Sequence, residues 1–233
     1  TKNRYIIPFN EPNHAGEWSG SVNPENYADI LIAFAKVFKE ANKNFFILPA
    51  GMDASAPNGK TTMDEEEFLR RVVAAKPEFL DVIDGWTSHS YPNPGFSGSP
   101  YASGRGTLRT YEWELDLLKN LGAKKNLPVF ITETGWAHSS YNWQSRLLSP
   151  DTIASYLPIA AQIAWKDPRI VAVTPFLFQY QQPLFAMFSW LVPGNRDPYP
   201  FYLAYQSIPK IHGDPNLPPS PEYLALLIQR LTL

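Results

Sequence analysis

Apolar residues recur along this chain in two alternating patterns. Short unbroken runs of strand length give way to longer stretches with helical period, and then the pair repeats. The run "RYIIPF" at 4–9 reads as a buried strand that ends in "NEPN". Residues 21–43 follow as a helix, with Asn23 as N-cap, Pro24 at the first helical position, and Tyr27, Ile30, Leu31, Phe34, Val37, Phe38 and Ala41 on one face. "NFFILPAG" (44–51) is the second strand and "MDEEEFLRRVVAAK" (63–76) its helix. "VIDGWTSHSYP" (82–92) starts apolar and turns polar, and a Gly/Ser loop at 93–107 leads into the helix "LRTYEWELDLLKNLG". "LPVFITETGW" (127–136) repeats that apolar-to-polar change, and the helix "DTIASYLPIAAQIAW" follows, with a kink expected at Pro158. "RIVAVTPFLFQY" (169–180) is the last strand, "FYLAYQSIPK" its helix, and "PPSPEYLALLIQRL" a short terminal helix.

Five β-α units with continuously apolar strands predict a parallel sheet covered by helices. A doubly wound nucleotide binder needs a glycine-rich turn after its first strand. Neither G-x-G-x-x-G nor G-x-x-x-x-G-K-[ST] occurs, so that reading lacks its motif, and a (β/α) barrel is the other open class. In a barrel, functional groups lie at the C-terminal ends of the strands. Here "NEPN", "SHSYP" and "TETGW" stand at such ends.

Composition narrows the picture further. The chain has 233 residues, enough for a single domain spanning 1–233. Its net charge of −2 gives no reason to expect nucleic acid or an anionic membrane as partner. The strongest apolar run, "LFAMFSWLV" (184–192), is too short for a membrane span. Without cysteine there are no disulfides and no thiolate metal sites, though this leaves the compartment open, with a slight lean to secretion. No histidine and carboxylate spacing marks a metal, and no cofactor is expected; His14, His138 and His212 read as ordinary loop residues. "GFSGS" (95–99) misses the serine-hydrolase elbow, because Ser99 stands in place of its last glycine. "DEEEF" (64–68) reads as an acidic helix start favoured by the dipole, and Trp86 and Trp113 as packing residues. Aromatic residues make up 14% of the chain, and their flat apolar faces with polar tips suit the C–H faces of a sugar ring.

Glu11 ends the first strand and Glu133 the fourth. Curling a parallel sheet brings such ends together across its rim. Two facing carboxyls, one protonated and one ionised, are what glycosidic bond cleavage requires.

The three clusters, in this order, resemble the retaining glycoside hydrolases of the TIM-barrel clan that carry catalytic glutamates at the ends of strands four and seven. The resemblance implies that Glu11 is the acid/base and Glu133 the nucleophile. It implies that Asn10 binds the sugar 2-hydroxyl, that Tyr91 donates to Glu133 with His89 close by, and that Trp190, in "FSW", stacks under the sugar. Trp136 and Trp18 are further rim candidates. On this alignment the chain covers strands four to eight of a barrel of TIM type, a partial and open one. It is then expected to be a fragment or processed product, one of a self-associating pair, or a reduced form, and the start "TKNRY" favours the first. The expected activity is retaining cleavage of β-glycosidic bonds in an oligo- or polysaccharide. The competing expectation is a non-catalytic carbohydrate-binding protein, or an inactive remnant, on the same scaffold. A transglycosylase would use the same residues.

Overall fold

The computed structural model describes residues 4–139, 147–180 and 182–211. The expected terminal helix and His212 lie outside the described residues.

The first strand, β1 (Arg4–Ile6), pairs in parallel with β2 (Phe45–Ile47), with Arg4, Tyr5 and Ile6 opposite Phe45, Phe46 and Ile47. A second parallel set runs β3 (Trp86–His89), β4 (Val129–Glu133), β5 (Ile170–Val173). The two sets meet at β2 and β3. There the Asp84 amide donates to Ile47 O at 2.8 Å, Thr87 Oγ1 donates to Pro49 O at 2.6 Å, and Asp53 forms a parallel bridge with His89.

The strands curl. Tyr5 on β1 and Phe130 on β4 have two strands between them, yet their ring centroids lie 5.2 Å apart, and both rings also touch Phe46 of β2. Concave-face side chains of distant strands meet only if the sheet bends round on itself. β1 and β5 are its two ends.

Helices cover the convex side. Asn23 caps α1 (Pro24–Ala41) by accepting from the Asn26 amide, as the sequence predicts. This helix buries Tyr27, Ala28, Leu31 and Ala35. Ile30 and Val37, expected on the same face, are exposed, because the apolar set is wider than the stripe that α2 (Glu65–Ala75), α3 (Phe79–Val82) and β2 can cover. α4 (Thr110–Asn120) packs on β3, and α5 (Pro150–Ile163) packs on α6 (Pro200–Ser207). α5 runs through Pro158 without a break in the helix.

The largest core lies between β2, β3 and α1–α4, around Tyr27, Phe68, Phe79 and Trp86. A second, around Trp136, Trp190 and Phe201, joins the end of β4 to α5 and α6.

Candidate active site

The site is built where β1, β3 and β4 end. Past Ile6 the chain turns at Glu11, whose φ of 33° lies in the left-handed region that non-glycine residues rarely adopt. The turn is held by the Glu11 amide on Gly51 O (3.0 Å) and the His14 amide on Glu11 O (2.8 Å). Behind it, fully buried Asn13 staples the β1 and β2 loops, donating to Asp53 O and Met63 O and accepting from the Asp53 amide. A strained backbone so thoroughly held presents one side chain in one direction.

That side chain meets His89. Nδ1 of His89 lies 2.8 Å from Glu11 Oε1 and 3.8 Å from Glu133 Oε2. Tyr91, two residues beyond His89, donates its hydroxyl to Glu133 Oε2 at 2.9 Å. One oxygen of Glu11, one of Glu133 and a nitrogen of His89 all lie within 4.8 Å of one another. Both carboxylate side chains are 23% exposed, whereas that of His89 is 3% exposed. The pair therefore faces solvent over a buried imidazole.

Gly51 makes room for that imidazole. A Cβ there would lie 2.3 Å from both Cδ2 and Nε2 of His89. No motif around Gly51 could have revealed this, since the contact spans separate β-α units.

Charge is arranged unevenly. Burial raises Glu133 above the usual carboxylate range, against the opposing effects of His89 and the Tyr91 hydroxyl. For His89, burial works against the charged form. The hydrogen bond to Glu11 and the charges of Glu133 and Glu11 overcome it, so its value is raised. Burial and the neighbouring Glu133 push the Tyr91 phenol far up, so it remains a donor. Glu11, His89 and Glu133 are the one His/Asp/Glu group among the described residues close enough to share a cation. Their facing atoms are already engaged, Nδ1 by Glu11 and Glu133 Oε2 by Tyr91, which suits proton handling rather than metal ligation.

The structure thus brings together Glu11, His89, Tyr91 and Glu133, with Asn10 exposed beside Glu11. The rings of the three tryptophans are engaged by other side chains, and Trp136 and Trp190 line one small cavity with Thr134 and Gly135, just past Glu133. Trp18 packs edge-on against Phe9 and Tyr27 and donates to Asn26. Trp190 is 9% exposed, its ring held by Phe201, Tyr202 and Tyr205. Trp136 packs on Tyr156 and donates its indole N–H to Gly98 O at 2.8 Å, tying the 93–107 loop to the end of β4. An aromatic cluster round Tyr91 was not read from the sequence. Phe96, Phe176 and Phe188 pack round the Tyr91 ring at 5.1, 6.5 and 6.0 Å. Two histidines also differ from expectation: His14 pairs with Asp53 at 3.0 Å, and His138 is fully buried, with Nε2 2.9 Å from Ser189 O.

Comparison with solved structures bears on the fold. A GH128 (subgroup V) exo-β-1,3-glucanase from Cryptococcus neoformans superposes with a TM-score of 0.54 at 13% identity, over 88% of this chain and 69% of its own. A GH128 (subgroup III) curdlan-specific exo-β-1,3-glucanase from Blastomyces gilchristii, in complex with glucose, gives 0.54 at 17%, over 89% and 71%. The GH51 α-L-arabinofuranosidase of Thermotoga petrophila RKU-1 gives 0.54 at 17%, over 90% of this chain but 40% of that one. The likeness is one of fold. This chain is an α/β protein with parallel strands whose structural neighbours are glycoside hydrolases. No protein-family model matches it, and no curated protein does.

Proposed function

We propose that the protein is a retaining glycoside hydrolase acting on β-glycosidic bonds of an oligo- or polysaccharide, on an open (β/α) barrel of TIM type formed by a single domain. One observation carries this reading: oxygens of Glu11 and Glu133, from strands three places apart, come within 4.8 Å of each other. Carboxyls about 5 Å apart suit double displacement, whereas inversion needs about 6.5 Å or more to admit a water between them.

In the first step the Glu133 carboxylate attacks the anomeric carbon, the glycosidic C–O bond breaks, and the leaving oxygen takes its proton from Glu11. In the second, water gives a proton to Glu11 and attacks the same carbon, releasing Glu133. Tyr91 holds Oε2 of Glu133 and leaves Oε1 for attack. Asn10 is assigned to the sugar 2-hydroxyl. Phe176, half-buried at the end of β5 beside Tyr91, is assigned the stacking role expected of Trp190, whose ring is committed to α6.

One observation favours an exchange of roles between the glutamates: burial lifts Glu133 toward its neutral form, as suits an acid. The Tyr91 hydroxyl, which stabilises a Glu133 anion, favours the assignment given. The non-catalytic reading is separated by Glu133→Gln. An enzyme loses turnover by at least about a hundredfold with glycan binding largely kept. A binding protein has no turnover in the wild type to lose.

A further inference from the structure

Behind β3, on the side away from the carboxylate pair, two further glutamates are sealed inside the protein. Glu65, in the first turn of α2, and Glu114, in the middle of α4, are both 0% exposed. Trp86 of β3 donates its indole N–H to Glu114 Oε2 at 3.0 Å. Neither oxygen of Glu65, nor Oε1 of Glu114, receives a protein N–H or O–H among the described residues. Glu65 and Glu114 interact with one another, and with one donor found for their four oxygens among the described residues they are not both charged. A proton between them supplies the missing donor.

We propose, on the reading of Glu11 and Glu133 given above, that Glu65 and Glu114 share one proton and form a positioning pair: an ionised Glu114, completed by a protonated Glu65, anchors β3 from behind and holds His89 in its charged form. The connection runs through the strand. Trp86 and Ser88 face Glu114, and the residue next to Ser88 is His89, which faces Glu11. Ser88 Oγ lies 2.7 Å from Ser90 Oγ, and Thr134 Oγ1 donates to Ser90 O at 2.7 Å, so the anchored strand is also tied to the end of β4 beside Glu133.

The other charged groups around the pair fit this arrangement. α2 brings Asp64 as well as Glu65, and the 93–107 loop brings Arg105, which is bound to Asp64 at 2.6 Å and stacked over Trp113. Burial and Glu114 push Glu65 well above the usual carboxylate range, which makes it the proton carrier. Burial also raises Glu114, but Ser88, Glu65 and Trp86 all favour its anion, and His89 is the cation it acts on. Against burial, the hydrogen bond to Glu11 and the charges of Glu133 and Glu11 raise His89, and the charge of Glu114 adds to them.

The test reads His89 directly, without substrate, so it stands apart from whether the protein hydrolyses glycans. In the full chain, the imidazole titration of His89 is followed by NMR in the wild type, Glu114→Gln and Glu65→Gln. Glu114→Gln is expected to lower the His89 midpoint by about one pH unit, and Glu65→Gln, which keeps a donor for Glu114, to leave it nearly unmoved. An unchanged midpoint in folded Glu114→Gln, or an equal fall in both variants, overturns the proposal. If Glu114→Gln does not fold, the wild type still decides, through carboxyl 13C titration of the glutamates. Glu65, assigned by its loss in Glu65→Gln, staying protonated from about pH 5 to about pH 8 supports the shared proton, and its ionisation by about pH 6 overturns it.

Discussion

Tyr91 and Glu133 come from neighbouring strands, and the phenol reaches the carboxylate at 2.9 Å. That bond orients the group assigned as nucleophile and favours its ionised state. Tyr91→Phe keeps the ring packed against Phe96 and Phe188 but removes the donor. A hydrogen bond to a charged group contributes about 1.5–3 kcal/mol, so kcat/KM should fall by about ten- to a hundredfold. The acid limb of the pH–rate profile should also move upward, because Glu133, already raised by burial, loses an opposing influence. A pH–rate series on the two proteins checks both effects, and an unmoved acid limb would remove Tyr91 from this role.

Gly51→Ala forces a methyl into the imidazole of His89, where the nearest ring atoms would be 2.3 Å away. The ring or the β2 loop must shift, which should destabilise the protein by about 1–3 kcal/mol and lower activity more than stability alone explains. Gly16→Ala, with nothing within 4 Å, is the matched control and should leave both unchanged. Thermal melts alongside initial rates make the comparison.

Trp136→Phe deletes the N–H that holds Gly98 O and leaves the ring on Tyr156. A neutral hydrogen bond contributes about 1 kcal/mol, so if the 93–107 loop contributes to substrate binding, KM should rise about fivefold with little change in kcat. A fall in kcat at constant KM would place the 93–107 loop outside substrate binding.

Glu65 gives a pH-dependent stability of definite sign. Its folded-state value is raised, so folding takes up a proton once the pH exceeds the ordinary carboxylate value of about 4.3. Stability from this group is present below that value and is lost as the pH rises toward the folded-state value, at about 1.4 kcal/mol per pH unit. Glu65→Gln cannot take up the proton and should flatten the slope. Urea unfolding from about pH 5 to about pH 8 measures it, and equal slopes for the two proteins would contradict the assignment.

What the sequence revealed and what it hid divide along physical lines. Continuous apolar runs ending in polar clusters are a local signal, and the order of strands and helices, with Glu11 and Glu133 past strand ends, was legible from it, whereas the Tyr91–Glu133 contact came from the family resemblance. The partial barrel was what the resemblance implied; the structure shows parallel strands that bend far enough for Tyr5 to meet Phe130. Burial decided by distant packing was not legible. "DEEEF" does begin a helix capped by Asp64, yet Glu65 is fully buried, which an acidic helix start does not signal. Trp190 stands after the last strand as the resemblance requires, but α6 covers its ring. His138 has no pattern that distinguishes a buried ring from a loop residue.

The most direct test of the central claim is intact-mass spectrometry of the folded chain after incubation with a panel of activated 2-fluoro glycosides, which form the glycosyl-enzyme and release it slowly. A gain of one sugar, mapped by peptide sequencing to Glu133, is the expected result. An adduct on Glu11 would reverse the two roles, and a chain that turns over glycan without forming any adduct would contradict the retaining mechanism.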